Sequence, residues 1–150
     1  MDNKELFHQA VSFITAVHQV TFDMTKDFEL GDITPVQYGM LEYIAVSQPV
    51  TLSEISECKH ISMPNTSREL KKLTDRGLCE KFDAPEDKRK QYIRLSAVGQ
   101  SFMNAAFAHM EKEFQYRLRH STEADLKRIA EAMQVLQESL FQEGFKSGGA

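Results

Sequence analysis

Side chains at Phe7, Ala10, Ile14, Val17, Thr21, Met24 and Phe28 recur at steps of three and four, the spacing that keeps one face of an α-helix apolar. The pattern predicts a long amphipathic helix over residues 4–28, broken at Gly31-Asp32. Thr34-Pro35-Val36-Gln37 supplies an N-cap threonine, a proline at the first helical position and a glutamine three residues after the cap, so a second helix starts there. It should run to about Ser47 and stop before Pro49. Thr51-Leu52-Ser53-Glu54 is a second capping box and opens a short third helix that turns Leu52 and Ile55 inward and ends by Lys59.

Ser62 caps a fourth helix with Pro64 in its first turn, where a missing N–H costs nothing, and Gly77 ends it. From Leu78 to Phe82 and from Gln91 to Leu95 apolar and polar residues alternate around Ala84-Pro85-Glu86-Asp87-Lys88-Arg89, which predicts a β-hairpin with a charged tip. Ser96 opens a long helix to about His120, with Val98, Phe102, Ala106, Met110 and Phe114 on one side. Thr122 opens a last helix in which Leu126, Ile129, Met133, Leu136 and Leu140 step 3, 4, 3, 4, a heptad-like seam. The expected fold is therefore mainly α with a small β-hairpin wing. The two terminal helices carry apolar stripes beside a centre that already has its own core, a pattern that suits contact with a second subunit.

One domain of 150 residues is long enough to bury a core without cross-links. Charged residues at 27% with only 4 Pro and 7 Gly exclude a disordered or fibrous chain. No apolar run approaches the roughly 18 residues of a membrane span. Met1-Asp2-Asn3-Lys4-Glu5 lacks the basic start of a secretory signal, so a cytoplasmic location is expected. Cys58 and Cys79 form no C-x-x-C pair, as suits a reducing compartment, and both read as small apolar fillers. Ser147-Gly148-Gly149-Ala150 reads as the end of a disordered tail over residues 143–150.

The net charge of −4 speaks against a polyanionic partner until its distribution is considered. Residues 59–94 hold ten Lys/Arg against six Asp/Glu, a net +4, and the remainder carries −8. A basic middle in an acidic frame suits a chain whose middle alone faces nucleic acid.

A short helix, a tight turn, a second helix with a basic outer face and a charged hairpin make a winged helix-turn-helix, here spanning residues 34–96. With Thr66, Leu70 and Leu73 inward, a rotation of about 100° per residue points Pro64, Arg68, Lys71, Lys72 and Asp75 outward. Near the start of this helix, Met63, Asn65 and Arg68 suit a thymine methyl, adenine and guanine respectively, while the helix N-terminus and Ser62 suit a phosphate. The hairpin places Lys88, Arg89 and Lys90 after Glu86-Asp87; Arg89 fits insertion into a minor groove, with Asp87 holding its guanidinium extended.

These residues resemble the MarR-type transcriptional regulators. Ile33 to Tyr38 is similar to the opening of that family's second helix. Thr51 to Lys81, including Ser67-Arg68 and Gly77-Leu78, follows its helix-turn-helix, and Asp87-Lys88-Arg89 with Ile93 to Gly99 resembles its wing and next helix. Lys59 stands where leucine is usual and His60 where glycine is common; histidine tolerates a left-handed turn better than most residues. The resemblance implies that Ser62, Met63, Asn65, Thr66 and Arg68 lie in the major groove, with Ser67, Lys71 and Lys72 on the same helix. It implies that Arg89, supported by Asp87 and flanked by Lys88 and Lys90, lies in the minor groove. It also implies a homodimer held by helices at residues 4–30 and 97–142, and a repressor of a pseudo-palindromic operator.

The resemblance further implies a small aromatic or apolar effector between the dimer helices and the DNA-binding lobe, with His18, Phe22, Tyr38, Tyr43, Phe107 and Met110 as candidate lining. No cysteine lies early in the first helix, where peroxide-sensing relatives use one. A metal-sensing alternative would use Glu42 with His109 and Glu113, at i and i+4; no metal or other cofactor is expected. No nucleophile paired with a base, no paired carboxylates and no Gly-rich phosphate loop argues for an enzyme. A winged helix serving only protein contacts would not need Arg68, Arg89 or the basic stripe, and salt-dependent DNA binding separates the two.

Overall fold

In a computed structural model the structure describes residues 1–142, so the expected tail at 143–150 lies outside the described residues. The chain divides into two compact units, residues 1–112 and residues 113 onward. The first unit begins with α1 (Asn3–Thr25), α2 (Pro35–Ser47), α3 (Leu52–Lys59) and α4 (Met63–Asp75). The hairpin β1 (Cys79–Ala84) and β2 (Asp87–Leu95) follows, and then α5 (Ala97–Arg117). Among the described residues no helix is long and apolar enough to cross a membrane.

Local capping sets most of the starts. Thr34, Thr51 and Thr122 each close a full capping box with the side chain three residues on, and Asp2 does the same with Glu5 at the head of α1. That last box, an Asp-x-x-Glu pattern, is absent from the sequence reading. α1 stops three residues short of the expected end: the Lys26 N–H donates to Phe22 O at 2.9 Å, and the chain then turns so that the Phe28 ring meets Phe102 and His109 of α5, each at 5.7 Å.

Met40, Leu41, Ile44, Ile55, Leu70, Leu73 and Met103 have no exposed surface, and Val50, Ile93 and Ala106 almost none. Each large side chain buried in this way contributes roughly 1.5–3 kcal/mol, an upper estimate. They join α2, α3, α4, the inner face of the hairpin and the first half of α5 in one core. The hairpin is antiparallel, with Cys79 opposite Leu95 and Phe82 opposite Tyr92. Val50 forms a bridge beside it, exchanging both backbone hydrogen bonds with Ile93 at 3.1 and 2.7 Å.

Two expectations are corrected. The strands run closer to the tip than expected: Ala84 pairs with Asp87, the turn is only Pro85-Glu86, and Asp87, Lys88, Arg89 and Lys90 begin β2. On α5 the buried residues are Gly99, Met103 and Ala106, whereas Val98 and Phe114 are exposed. The helix docks where it has no side chain: a Cβ on Gly99 would lie 2.0 Å from the Leu78 carbonyl oxygen. That oxygen accepts from the Ser96 N–H at 3.0 Å, and Ser96 Oγ in turn caps the Gly99 N–H at 3.0 Å.

The second unit holds the end of α5 and α6 (Glu123–Ser139). α5 ends at Arg117, short of the expected His120. α6 has no buried residue, and Leu126, Met133 and Leu140 of its expected seam stand exposed.

Candidate nucleic-acid interface

The turn between α3 and α4 is built by three local devices. His60 takes a left-handed conformation at φ 53°, an uncommon setting for a residue other than glycine. The Ile61 N–H donates to Ser56 O at 3.2 Å, and the buried Ser56 hydroxyl donates to Ile61 O. Sequence reasoning missed Ser56, because a polar residue on a short helix gives no sign of which distant carbonyl it will serve. Lys59 runs over α2, its Nζ 3.3 Å from the position a Cβ on Gly39 would occupy.

Ser62 accepts from the Asn65 N–H at 3.3 Å and starts α4. The helix turns Thr66, Leu70 and Leu73 into the core. Ser62, Met63, Pro64, Asn65, Ser67, Arg68, Lys71 and Lys72 are all exposed along its other side. Thr66 is corrected: it has no exposed surface, and its hydroxyl donates to Ser62 O at 2.8 Å, so it supports the first turn from within instead of facing a groove.

Charge on the exposed side is partly engaged. Lys71 pairs with Asp75 at 2.8 Å and Lys72 with Glu69 at 3.2 Å, whereas Arg68 has no ion-pair partner among the described residues. Glu69 also accepts from the side chain of Gln37 on α2 at 2.9 Å. That hydrogen bond first, and Lys72 after it, holds the Glu69 carboxyl below its ordinary range. At the far end of α4, Arg76 lies 3.7 Å from Asp32. The Gln37–Glu69 contact crosses 32 residues and leaves no local signature in the sequence.

On the wing, Asp87 Oδ1 accepts from both the backbone N–H and the Nε of Arg89, at 3.0 and 3.3 Å. The Arg89 side chain stays 93% exposed, so the carboxylate aims the guanidinium without covering it. Lys88 is exposed as well. Lys90 differs, since its ammonium sits over the Tyr92 ring at 5.2 Å. The Tyr92 hydroxyl donates to Glu86 at 2.7 Å, which raises the phenol pKa and lowers that of the carboxyl. Arg94 lies over Phe82 at 4.5 Å and meets Glu80 at 3.1 Å.

Of the candidate effector residues, Tyr38 and Met110 are brought together, the hydroxyl donating to the sulfur at 3.6 Å. Tyr43 and Phe107 are half-buried against the same core. His18 and Phe22 stay exposed on α1. Burial first, and then the negative Glu42, pushes the Tyr38 phenol well up. Among the described residues no group of three His, Cys, Asp or Glu could hold a metal ion; His109 packs its ring on Phe28 and leaves Nε2 buried without a partner. Cys79 is the buried filler expected, its thiol pushed up to about 12 by burial. Cys58 is corrected, because it lies exposed at the end of α3.

The family model described as MarR family matches residues 31–90. An HTH-type transcriptional regulator of Staphylococcus aureus is 30% identical over 113 residues, covering 75% of each chain. The HTH-type transcriptional regulator TcaR of the same organism is 25% identical over 127 residues, covering 83% of each. Among solved structures, a MarR family protein from Bacillus stearothermophilus has the same fold, with a TM-score of 0.78 at 13% identity over 95% of this chain and 99% of that one. Staphylococcus aureus MepR bound to ethidium bromide shares the fold at a TM-score of 0.63 and 20% identity, over 93% of this chain and 97% of its own. The matched segment covers α2, α3, α4 and the start of the wing, which are the elements that expose Arg68 and Arg89. The chain belongs to the MarR family of transcriptional regulators.

Proposed function

We propose that the protein is a sequence-specific DNA-binding repressor that acts as a homodimer on a pseudo-palindromic operator. The observation that carries this reading is the pair of exposed cationic elements on one lobe: Arg68 on α4, with no ion-pair partner among the described residues, and Arg89 on the wing, aimed outward by Asp87. Met63, Asn65 and Arg68 are the base-reading groups and Arg89 the minor-groove group. A MepR structure of the same fold is bound to an oligodeoxyribonucleotide, which supports the reading. Two copies would read two half-sites, and the uncovered apolar faces of α1 and α6 supply contact area for a second copy.

The regulator responds to a small aromatic or apolar molecule. The MepR–ethidium structure supports a ligand of that kind, and Tyr38 with Met110 is the pair of the expected lining residues brought into contact. Selection of binding sites from random duplexes, followed by fluorescence anisotropy across a salt titration, tests the DNA reading. Arg89→Ala should weaken binding to all duplexes alike and lower the salt slope by about 1. Asn65→Ala should instead change the preferred bases, by roughly 1–3 kcal/mol for a good bidentate contact. Arg89→Ala binding as tightly as wild type at every salt concentration would remove the wing from the interface. Binding without salt dependence would favour a protein-interaction module.

A further inference from the structure

Two lysines on the exposed side of α4 are paired within the helix, and the two pairs are built differently. Lys71 and Asp75 are both open to solvent, with side chains 76% and 62% exposed, and such a pair is worth little and exchanges readily for a phosphate. Lys72 instead pairs with Glu69, whose side chain is only 22% exposed and whose second carboxylate oxygen is held by the Gln37 amide at 2.9 Å. Gln37 is itself almost fully buried, and its amide oxygen accepts from the Thr34 N–H at 3.1 Å. Rotating that amide would break a helix cap and an inter-helix bond together. Glu69 is therefore anchored from inside the lobe, whereas Asp75 has no comparable support.

We propose that Gln37 is a positioning residue of the DNA interface: by fixing Glu69 it keeps the Lys72 ammonium on the protein and withholds it from the phosphate backbone, leaving Lys71 available. This inference rests on the reading of α4 as the recognition helix. It makes Lys72 a reserve contact under the control of α2, because Gln37 adjoins Tyr38, whose hydroxyl reaches Met110 on α5. A shift of α2 relative to α4 frees Glu69 and changes the charge that DNA meets, with no change in the base-reading residues.

The test uses the full chain and a selected duplex, with affinity measured from 50 to 200 mM salt. Glu69→Gln should steepen the salt slope by about 0.9, one added phosphate contact, equivalent to roughly three- to fourfold more affinity lost across that range. Adding Lys72→Met to Glu69→Gln should cancel that steepening. Gln37→Met should steepen the slope in the same direction, whereas a side chain that merely fills space would change the thermal midpoint and leave the slope alone. A wild-type slope in Glu69→Gln, or a steepened slope that survives Lys72→Met, overturns the inference. Lys72 lies on α4's surface, and Glu69→Gln keeps the side chain's shape and an oxygen for the Gln37 amide, so this comparison stands even where Gln37→Met fails to fold. Arg68→Ala separates the two levels: unchanged affinity and base preference in that variant would overturn the recognition-helix reading itself, whatever Lys72 does.

Discussion

At the scale of single residues, the positions that shape the lobe are those where two backbones meet. Gly99 is the clearest, since any side chain there would press on the carbonyl of Leu78, whose Cα and carbonyl carbon also lie within 3.3 Å of the added atom. Backbone cannot swing aside as a flexible side chain can, so α5 would have to lift from the lobe. Gly99→Ala should cost about 3 kcal/mol or more, at or above the upper end of ordinary overpacking, read as a lower midpoint in urea at unchanged m-value. An unchanged midpoint would show that the helix docks by another route. The sequence carries no trace of this approach, because Leu78 and Gly99 are 21 residues apart and a glycine in a helix reads only as a weak spot. The caps at Thr34, Thr51, Ser62 and Thr122 were legible for the opposite reason. A cap is a local hydrogen bond, and its donor and acceptor lie three residues apart in the chain.

At the scale of elements, the number and order of the helices follow from period and punctuation, but faces and ends follow from what each element packs against. The expected apolar stripe placed Phe102 and Ala106 on the core side of α5 but misplaced Val98 and Phe114, because a glycine, invisible to a hydrophobic pattern, sets the contact line. The hairpin was legible from alternation, and its tip was not, since Asp87 to Lys90 are all polar and alternation of burial cannot be read among them. Asp87 accepts two hydrogen bonds, both from Arg89, so the carboxylate acts on DNA binding through the arginine. Asp87→Ala should weaken DNA binding less than Arg89→Ala does. The double variant should bind within about 0.5 kcal/mol of Arg89→Ala alone, because the two residues form one unit. Full additivity in an anisotropy titration would mean that Asp87 has a separate role.

At the scale of the whole molecule, charge and apolar surface are segregated along the chain. The basic middle coincides with α4 and the hairpin, and the acidic frame coincides with helices that expose apolar residues. On α1, Leu6, Phe7, Phe22 and Val17 are between 43% and 62% exposed; on α6 and its C-cap, Leu126, Met133, Val135 and Leu140 are between 43% and 59%. Surface apolar residues scattered singly need no explanation, but two helices with no buried residue at all and apolar side chains at helical spacing do. The seam on α6 was legible from its 3, 4, 3, 4 steps; the identity of what covers it was not, because periodicity reports a face and never a partner. If that partner is a second copy, the chain should sediment as a dimer at micromolar concentration. Removing residues 122–150 should then leave a chain that aggregates or unfolds, since each large side chain lost from a buried interface forfeits roughly 1.5–3 kcal/mol and leaves its neighbours uncovered. A soluble, folded monomer from the shortened chain in analytical ultracentrifugation, still binding a single half-site, would show that α6 contributes nothing to assembly and that the lobe reads DNA alone.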